Sequence, residues 1–105
     1  MDSYIIVFCT TPSYEISHKI AAECIHKKIA ACCNIIPGIK SIYRWEGNVE
    51  ESEEQLLMIK STEINFKSIE NTINSFHTYD VPEIISIKIG SGNESYLKWI
   101  NESLR

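Results

Sequence analysis

Long apolar runs are missing from the sequence. No stretch of its 105 residues approaches the roughly 18 that a membrane-crossing helix requires. Met1-Asp2-Ser3-Tyr4 passes directly into a β-favouring run with no basic region before it, so neither a membrane span nor a secretory leader is expected, and a cytoplasmic location is. Basic residues are the minority, 10 Lys and Arg against 14 Asp and Glu, for a net charge of −4. A phosphate backbone calls for clustered Lys and Arg, so nucleic acid is not an expected partner. The four cysteines, Cys9, Cys24, Cys32 and Cys33, include no C-x-x-C spacing, which removes the usual zinc chelate and, without secretory features, leaves reduced thiols. Cys32 and Cys33, as strand neighbours, would point to opposite faces and share no ion. Glycine numbers four, and none stands in Thr10-Thr11-Pro12-Ser13-Tyr14, where a cradle of amides for a phosphoryl group would form; arginine is absent there too. No linker, repeat or low-complexity tract interrupts the chain, so residues 1–105 are expected to form a single domain.

What is present is organised around residues 30–59. An apolar run over 30–36 stops at Pro37-Gly38, and a second over 39–45 follows before Glu46-Gly47-Asn48. Pro37 fixes φ and lacks a donor, and Gly38 can take positive φ, so the pair sets a bend. A strand cannot run through Pro37 in the middle of a sheet; the arm after it must leave the sheet or lie on an edge. Ile42, Tyr43 and Trp45 make that arm β-favouring and give it more aromatic surface than one small sheet covers. Another copy of the chain is the inferred packing partner. Glu46, Glu50, Glu51, Glu53 and Glu54 read as a solvated loop, because a cation site needs preorganised oxygens and not merely a charge run.

Residues 4–10 read as a central strand. Thr11-Pro12-Ser13 breaks it and offers an N-cap hydroxyl to a helix from 14 to about 30, with Ile16, Ile20, Ala21, Cys24 and Ile29 inward. Glu15–Lys19 and Glu23–Lys27 form favourable i,i+4 pairs on its outer face. Strands follow at 31–36 and 54–61, then a helix at 64–76 with Phe66, Ile69, Ile73 and Phe76 in the core, a strand at 83–89, and a last helix at 94–103. Asn93 caps this helix, with Tyr96, Leu97 and Ile100 inward. The order β-α-β-β-α-β is the split βαβ, or ferredoxin-like, α+β arrangement: an antiparallel sheet in spatial order 4-1-3-2, two helices on one face, an extended β-arm and a C-terminal helix. It brings residues 77–82 beside Cys9 at the end of the first strand and leaves one sheet face to be buried by self-association.

The runs AACCNIIPGIKSIYRWEG (30–47), YIIVFCTTP (4–12), HTYDVPEII (77–85) and YLKWI (96–100) resemble the signatures of the CutA divalent-cation tolerance family over nearly the whole chain. The resemblance implies a tight homotrimer in which the arm around Tyr43 to Gly47 reaches a neighbouring subunit. It further implies a role in tolerance of divalent metals, notably copper, without a defined reaction. The family's proposed copper site maps onto Cys9 and His77. Here the sequence departs from the bacterial pattern: Phe76 stands where a second histidine is often found, and Thr78 where a proline is usual.

Copper favours thiolate and imidazole donors, so Cys9 and His77 are the metal candidates and copper ion the one cofactor implied. The plainer reading has Cys9 packed as a small hydrophobe and His77 bonded to backbone. His18 and His26 belong on the surface of the first helix. A nucleophilic Cys9–His77 pair would want an orienting third residue and oxyanion donors, which are not evident, so no enzymatic activity is expected. Tyr43, Trp45, Lys60, Tyr79, Glu83, Tyr96 and Trp99 are expected at an intersubunit cleft or interface. Two functions are therefore in view. One is a non-enzymatic trimeric protein of divalent metal tolerance; the other is a trimeric signalling or anchoring scaffold, shaped like the nitrogen-regulatory PII proteins, that holds a small anion or a partner in that cleft.

Overall fold

Side-chain alternation in β1 (Tyr4–Thr11) sets the layout. Ile5, Val7, Cys9 and Thr11 are buried on one face, while Ile6, Phe8 and Thr10 on the other are only partly covered. The computed structural model describes residues 3–104. In chain order β1 is followed by α1 (Tyr14–His26), β2 (Cys32–Trp45), β3 (Asn48–Thr62), a 3-10 turn at Glu63–Asn65, α2 (Phe66–Phe76), β4 (Ile85–Lys88) and α3 (Glu94–Glu102). The sheet runs β2-β3-β1-β4 with every pair antiparallel, which is the expected order read from the other edge.

The core lies between the sheet and the first two helices. Ile5, Val7, Cys9, Leu57 and Ile59 from the strands meet Ile20, Ala21 and Cys24 of α1 and Ile69 and Ile73 of α2. Helix α1 starts where Ser13 accepts a hydrogen bond from the Ile16 N–H at 3.2 Å, the expected cap. It ends at His26, earlier than the periodicity suggests, because Lys28 turns to a φ of 60° and breaks the helical path while Ile29 stays buried. Of the two expected ion pairs, Glu23–Lys27 forms at 3.5 Å. Helix α3 packs on the opposite side of the sheet, where the Lys60 ammonium lies 5.8 Å from the Tyr96 ring centre. Ile100 is its buried residue, whereas Tyr96, expected inward, is exposed.

The acidic stretch is a correction to the sequence reading. It is strand, not loop: β3 begins at Asn48 and pairs with the arm from Trp45↔Asn48 to Ile39↔Glu54. Glu46 and Gly47 both take positive φ, 50° and 84°, the geometry of a two-residue type I′ hairpin turn. Glu50, Glu51 and Glu53 remain solvated, as a charge run should. Glu54 is the exception, only 6% exposed.

Chain 37–38 forms a bulge rather than a strand end. The ladder passes from Ile36↔Leu56 to Ile39↔Glu54, so two residues of β2 oppose Gln55 alone, with Gly38 at a φ of 73°. Because β2 is an edge strand, the missing N–H of Pro37 costs no ladder bond on an inner strand. The bulge also exchanges the parity of β2. Before it Cys32, Asn34 and Ile36 share a face with Met58; after it Ile39, Ser41, Tyr43 and Trp45 share that face with Glu54.

Candidate functional site

The end of β1 and the segment after α2 meet as the topology requires. His77 closes α2, its N–H donating to the Ile73 carbonyl at 2.9 Å. Its Nε2 lies 2.7 Å from the carbonyl oxygen of Thr10. A carbonyl only accepts, so Nε2 carries the proton, and Nδ1 is left to accept from the Tyr79 N–H at 3.2 Å. The Tyr79 ring sits 4.6 Å from the imidazole, centre to centre, and its hydroxyl donates to Glu54 Oε2 at 2.7 Å. Thr10, His77, Tyr79 and Glu54 are thereby tied into one chain of contacts spanning β1, the 77–82 segment and β3. Burial first, then the hydrogen bond given to Glu54, pushes the Tyr79 phenol well above its ordinary value.

Cys9 reaches the same neighbourhood from the opposite face. Its thiol is fully buried in the core, with Sγ 3.7 Å from the Thr10 carbonyl oxygen. Desolvation, followed by the charges of Glu83, Glu54 and Cys24, pushes it up to about 12. Backbone proximity is thus achieved, yet both ring nitrogens of His77 are engaged elsewhere. Among the described residues no group of three His, Cys, Asp or Glu side chains is arranged to hold a metal ion. Cys32 lies level with Ile6 on the far edge of the sheet, and Cys33 points the other way, toward the Ala21 carbonyl at 4.0 Å. His18 and His26 are exposed on α1.

The thiols carry a pH prediction. Burial raises Cys9 and Cys33 to about 12 and Cys24 to about 11, so the folded state holds its thiol protons more tightly than the unfolded chain does. Their stabilising effect is complete below the unfolded thiol range and is lost as pH rises from about 9 toward the folded values. Urea unfolding at pH 7 and pH 10 should show a loss of about 1 kcal/mol per buried thiol at the higher pH. Equal midpoints would contradict this.

The seven residues expected at a cleft divide into two groups. Tyr43, Trp45, Tyr79 and Glu83 line one cleft of about 590 Å³ together with Glu54 and Asp80. The bulge at 37–38 is what turns Tyr43 and Trp45 to the Glu54 side. Lys60, Tyr96 and Trp99 instead form a cluster of their own, with the Tyr96 and Trp99 rings 5.4 Å apart, and none of the three lines the cleft within one chain. Glu54 and Asp80 escaped the sequence reading. Glu54 looked like one more member of an acidic run; only its place at the end of the apolar stretch 54–61 hinted at burial.

Comparison with known proteins gives the family. The profile of the family described as CutA1 divalent ion tolerance protein matches residues 5–103. The divalent-cation tolerance protein CutA of Thermus thermophilus is 42% identical over 98 residues, covering 93% of this chain and 95% of that protein. The chloroplastic protein CutA of Arabidopsis thaliana is 42% identical over 101 residues, 96% of this chain. The present chain spans only 56% of that plant relative's length. Among solved structures, the divalent cation tolerance protein of Thermus thermophilus superimposes with a TM-score of 0.94 at 40% identity, covering 97% of this chain and 99% of that one. On this match over nearly its whole length, the chain belongs to the CutA1 divalent ion tolerance protein family.

Proposed function

We propose that this chain takes part in the tolerance of divalent cations as a non-enzymatic homotrimer. The observation that carries the reading is the family match over residues 5–103. Assembly is supported by the hairpin arm. β1 ends at Thr11, opposite Gln55, so among the described residues the ribbon from Ile39 to Glu54 has no third strand. A lone two-stranded ribbon is marginal in water, and this one exposes Ile42, Tyr43, Trp45 and Val49. Sedimentation equilibrium at micromolar concentration should return three times the chain mass; a single-chain mass overturns the assembly.

Copper ion is the proposed cargo, and Cys9 and His77 its proposed donors. They supply at most two donors, so further ligands would come from water or a neighbouring chain. Binding there requires the Cys9 thiol to lose its proton and His77 to release the Thr10 carbonyl or the Tyr79 N–H. Anaerobic calorimetric titration of the reduced protein with copper and zinc ions, beside a Cys9→Ser/His77→Ala variant, tests this. Tight stoichiometric binding that the variant loses supports the site; weak binding, or binding the variant keeps, returns both residues to structural roles. A cytoplasmic location is proposed on the four free thiols, although the Arabidopsis relative is named chloroplastic.

The cleft favours a second reading, a trimeric scaffold that holds a small ligand or partner. Four of the residues expected at such a cleft converge on it. Among the described residues its lining has no cationic side chain, which speaks against an anion as the occupant.

A further inference from the structure

Glu54 stands out among the polar groups of the chain. It is buried to all but 6%, it receives one neutral hydrogen bond, from the Tyr79 hydroxyl to Oε2, and among the described residues no Lys, Arg or His forms an ion pair with it. Its Oε1 has no hydrogen-bond partner among the described residues and is not wholly shut off from solvent; a carboxylate this enclosed is ordinarily paired with a cation, because one neutral hydrogen bond does not replace its hydration. Here the side chain lines the cleft instead, and the two other acids there, Asp80 and Glu83, add charge of the same sign. Among the described residues the lining thus carries three acids and no cation to offset them.

The walls narrow the kind of cation. Tyr43, Trp45 and Tyr79 line the same cleft, and aromatic side chains attract soft, weakly hydrated cations. The volume of about 590 Å³ is far more than a bare ion fills and suits a small organic molecule. No three acidic, His or Cys side chains among the described residues are set for a metal.

We infer that the cleft binds an organic ammonium ion, with Glu54 as its counter-charge and Tyr43, Trp45 and Tyr79 as its aromatic walls. The inference rests on the scaffold reading of the cleft and names its ligand class. Glu83 and Asp80 sit in the lining as supporting charges. Tyr79 holds the Glu54 carboxylate in place, and is held in turn by His77.

The sequence contains two tryptophans, so a Trp99→Phe background leaves Trp45, in the cleft wall, as the sole reporter. The assembled protein is titrated with tetramethylammonium chloride and with n-butylammonium chloride, against sodium chloride at equal ionic strength and sodium butyrate as the anionic counterpart. A saturable change in Trp45 fluorescence with the ammonium salts alone is expected. Glu54→Gln, which keeps the size of the side chain and an oxygen to accept from Tyr79, should raise the midpoint by about tenfold or more, as loss of a charge-assisted contact does. Glu83→Gln should raise it less. A midpoint unchanged in Glu54→Gln overturns the inference. A response to butyrate in place of ammonium, or no response to any salt, overturns it too, while leaving the scaffold reading, which also admits a partner protein, standing. Dissociation of the assembly by Glu54→Gln would assign the missing cation to a neighbouring chain and also refute the proposal.

Discussion

Replacing Ile85 and Ile87 together by glutamate is expected to break the proposed three-chain assembly into single chains. The two residues pair with Phe8 and Ile6 across β4 and β1, so all four side chains occupy the sheet face that α1 and α2 leave uncovered. Ile85 is 53% and Ile87 50% exposed in the single chain, an unusual state for alternate residues of a strand in a small protein. Covering the remaining half of each by a neighbour contributes about 1 kcal/mol per side chain, or about 6 kcal/mol over three chains. The substitution forfeits this and adds the cost of burying carboxylates without partners. At about 1.4 kcal/mol per decade the dissociation constant should rise at least ~10⁴-fold. Sedimentation equilibrium, with circular dichroism to confirm the sheet, measures the outcome. A milder Ile85→Thr/Ile87→Thr variant, which keeps β-branching, should weaken assembly without touching the strand. Three-chain mass retained by the glutamate variant would show that the interface lies elsewhere.

A comparably large loss of stability is expected at Ile59, and the contrast with Ile42 is informative. Both are isoleucines in β-favouring runs. Ile59 is 0% exposed and belongs to the core between the sheet and the two helices, whereas Ile42 is 66% exposed on the arm. Ile59→Ala removes buried methyl groups and leaves a cavity, for a cost of about 2–5 kcal/mol. The midpoint of urea unfolding should fall while the slope with denaturant stays constant. Ile42→Ala should leave the dissociated chain unaffected to within about 0.5 kcal/mol. An equal loss at both positions would mean that the arm is covered within its own chain.

Much of the fold could be read from local signals. β1 shows as an unbroken β-favouring run, α1 and α2 as apolar stripes at helical spacing, and Ser13 and Asn93 as caps whose side chains accept from Ile16 and Tyr96 in the structure. Each of these depends on residues within a few positions of one another. The acidic hairpin was not legible, because its strand character is supplied by a partner strand and by a Glu-Gly turn, not by its own composition. The cleft was only partly legible. Tyr43, Trp45, Tyr79 and Glu83 have the chemistry of a binding surface and line the cleft within one chain; Lys60 and Trp99 have it too, and lie outside that cleft within one chain.

By itself, then, the sequence determined the order of the elements, the inward stripes of the first two helices and, through Pro37 and Gly38, that the arm must leave the sheet or lie on an edge. These follow from backbone sterics and from the spacing of apolar side chains, which act over short stretches of chain. Only the tertiary structure decided that Glu54 is buried with no cation paired to it among the described residues, that His77 spends both ring nitrogens on Thr10 and Tyr79, and that the bulge puts Tyr43 and Trp45 on the face of Glu54. Those facts depend on the register between strands and on which face a side chain takes. A single extra residue at 37–38 changes that outcome without changing the composition of anything around it.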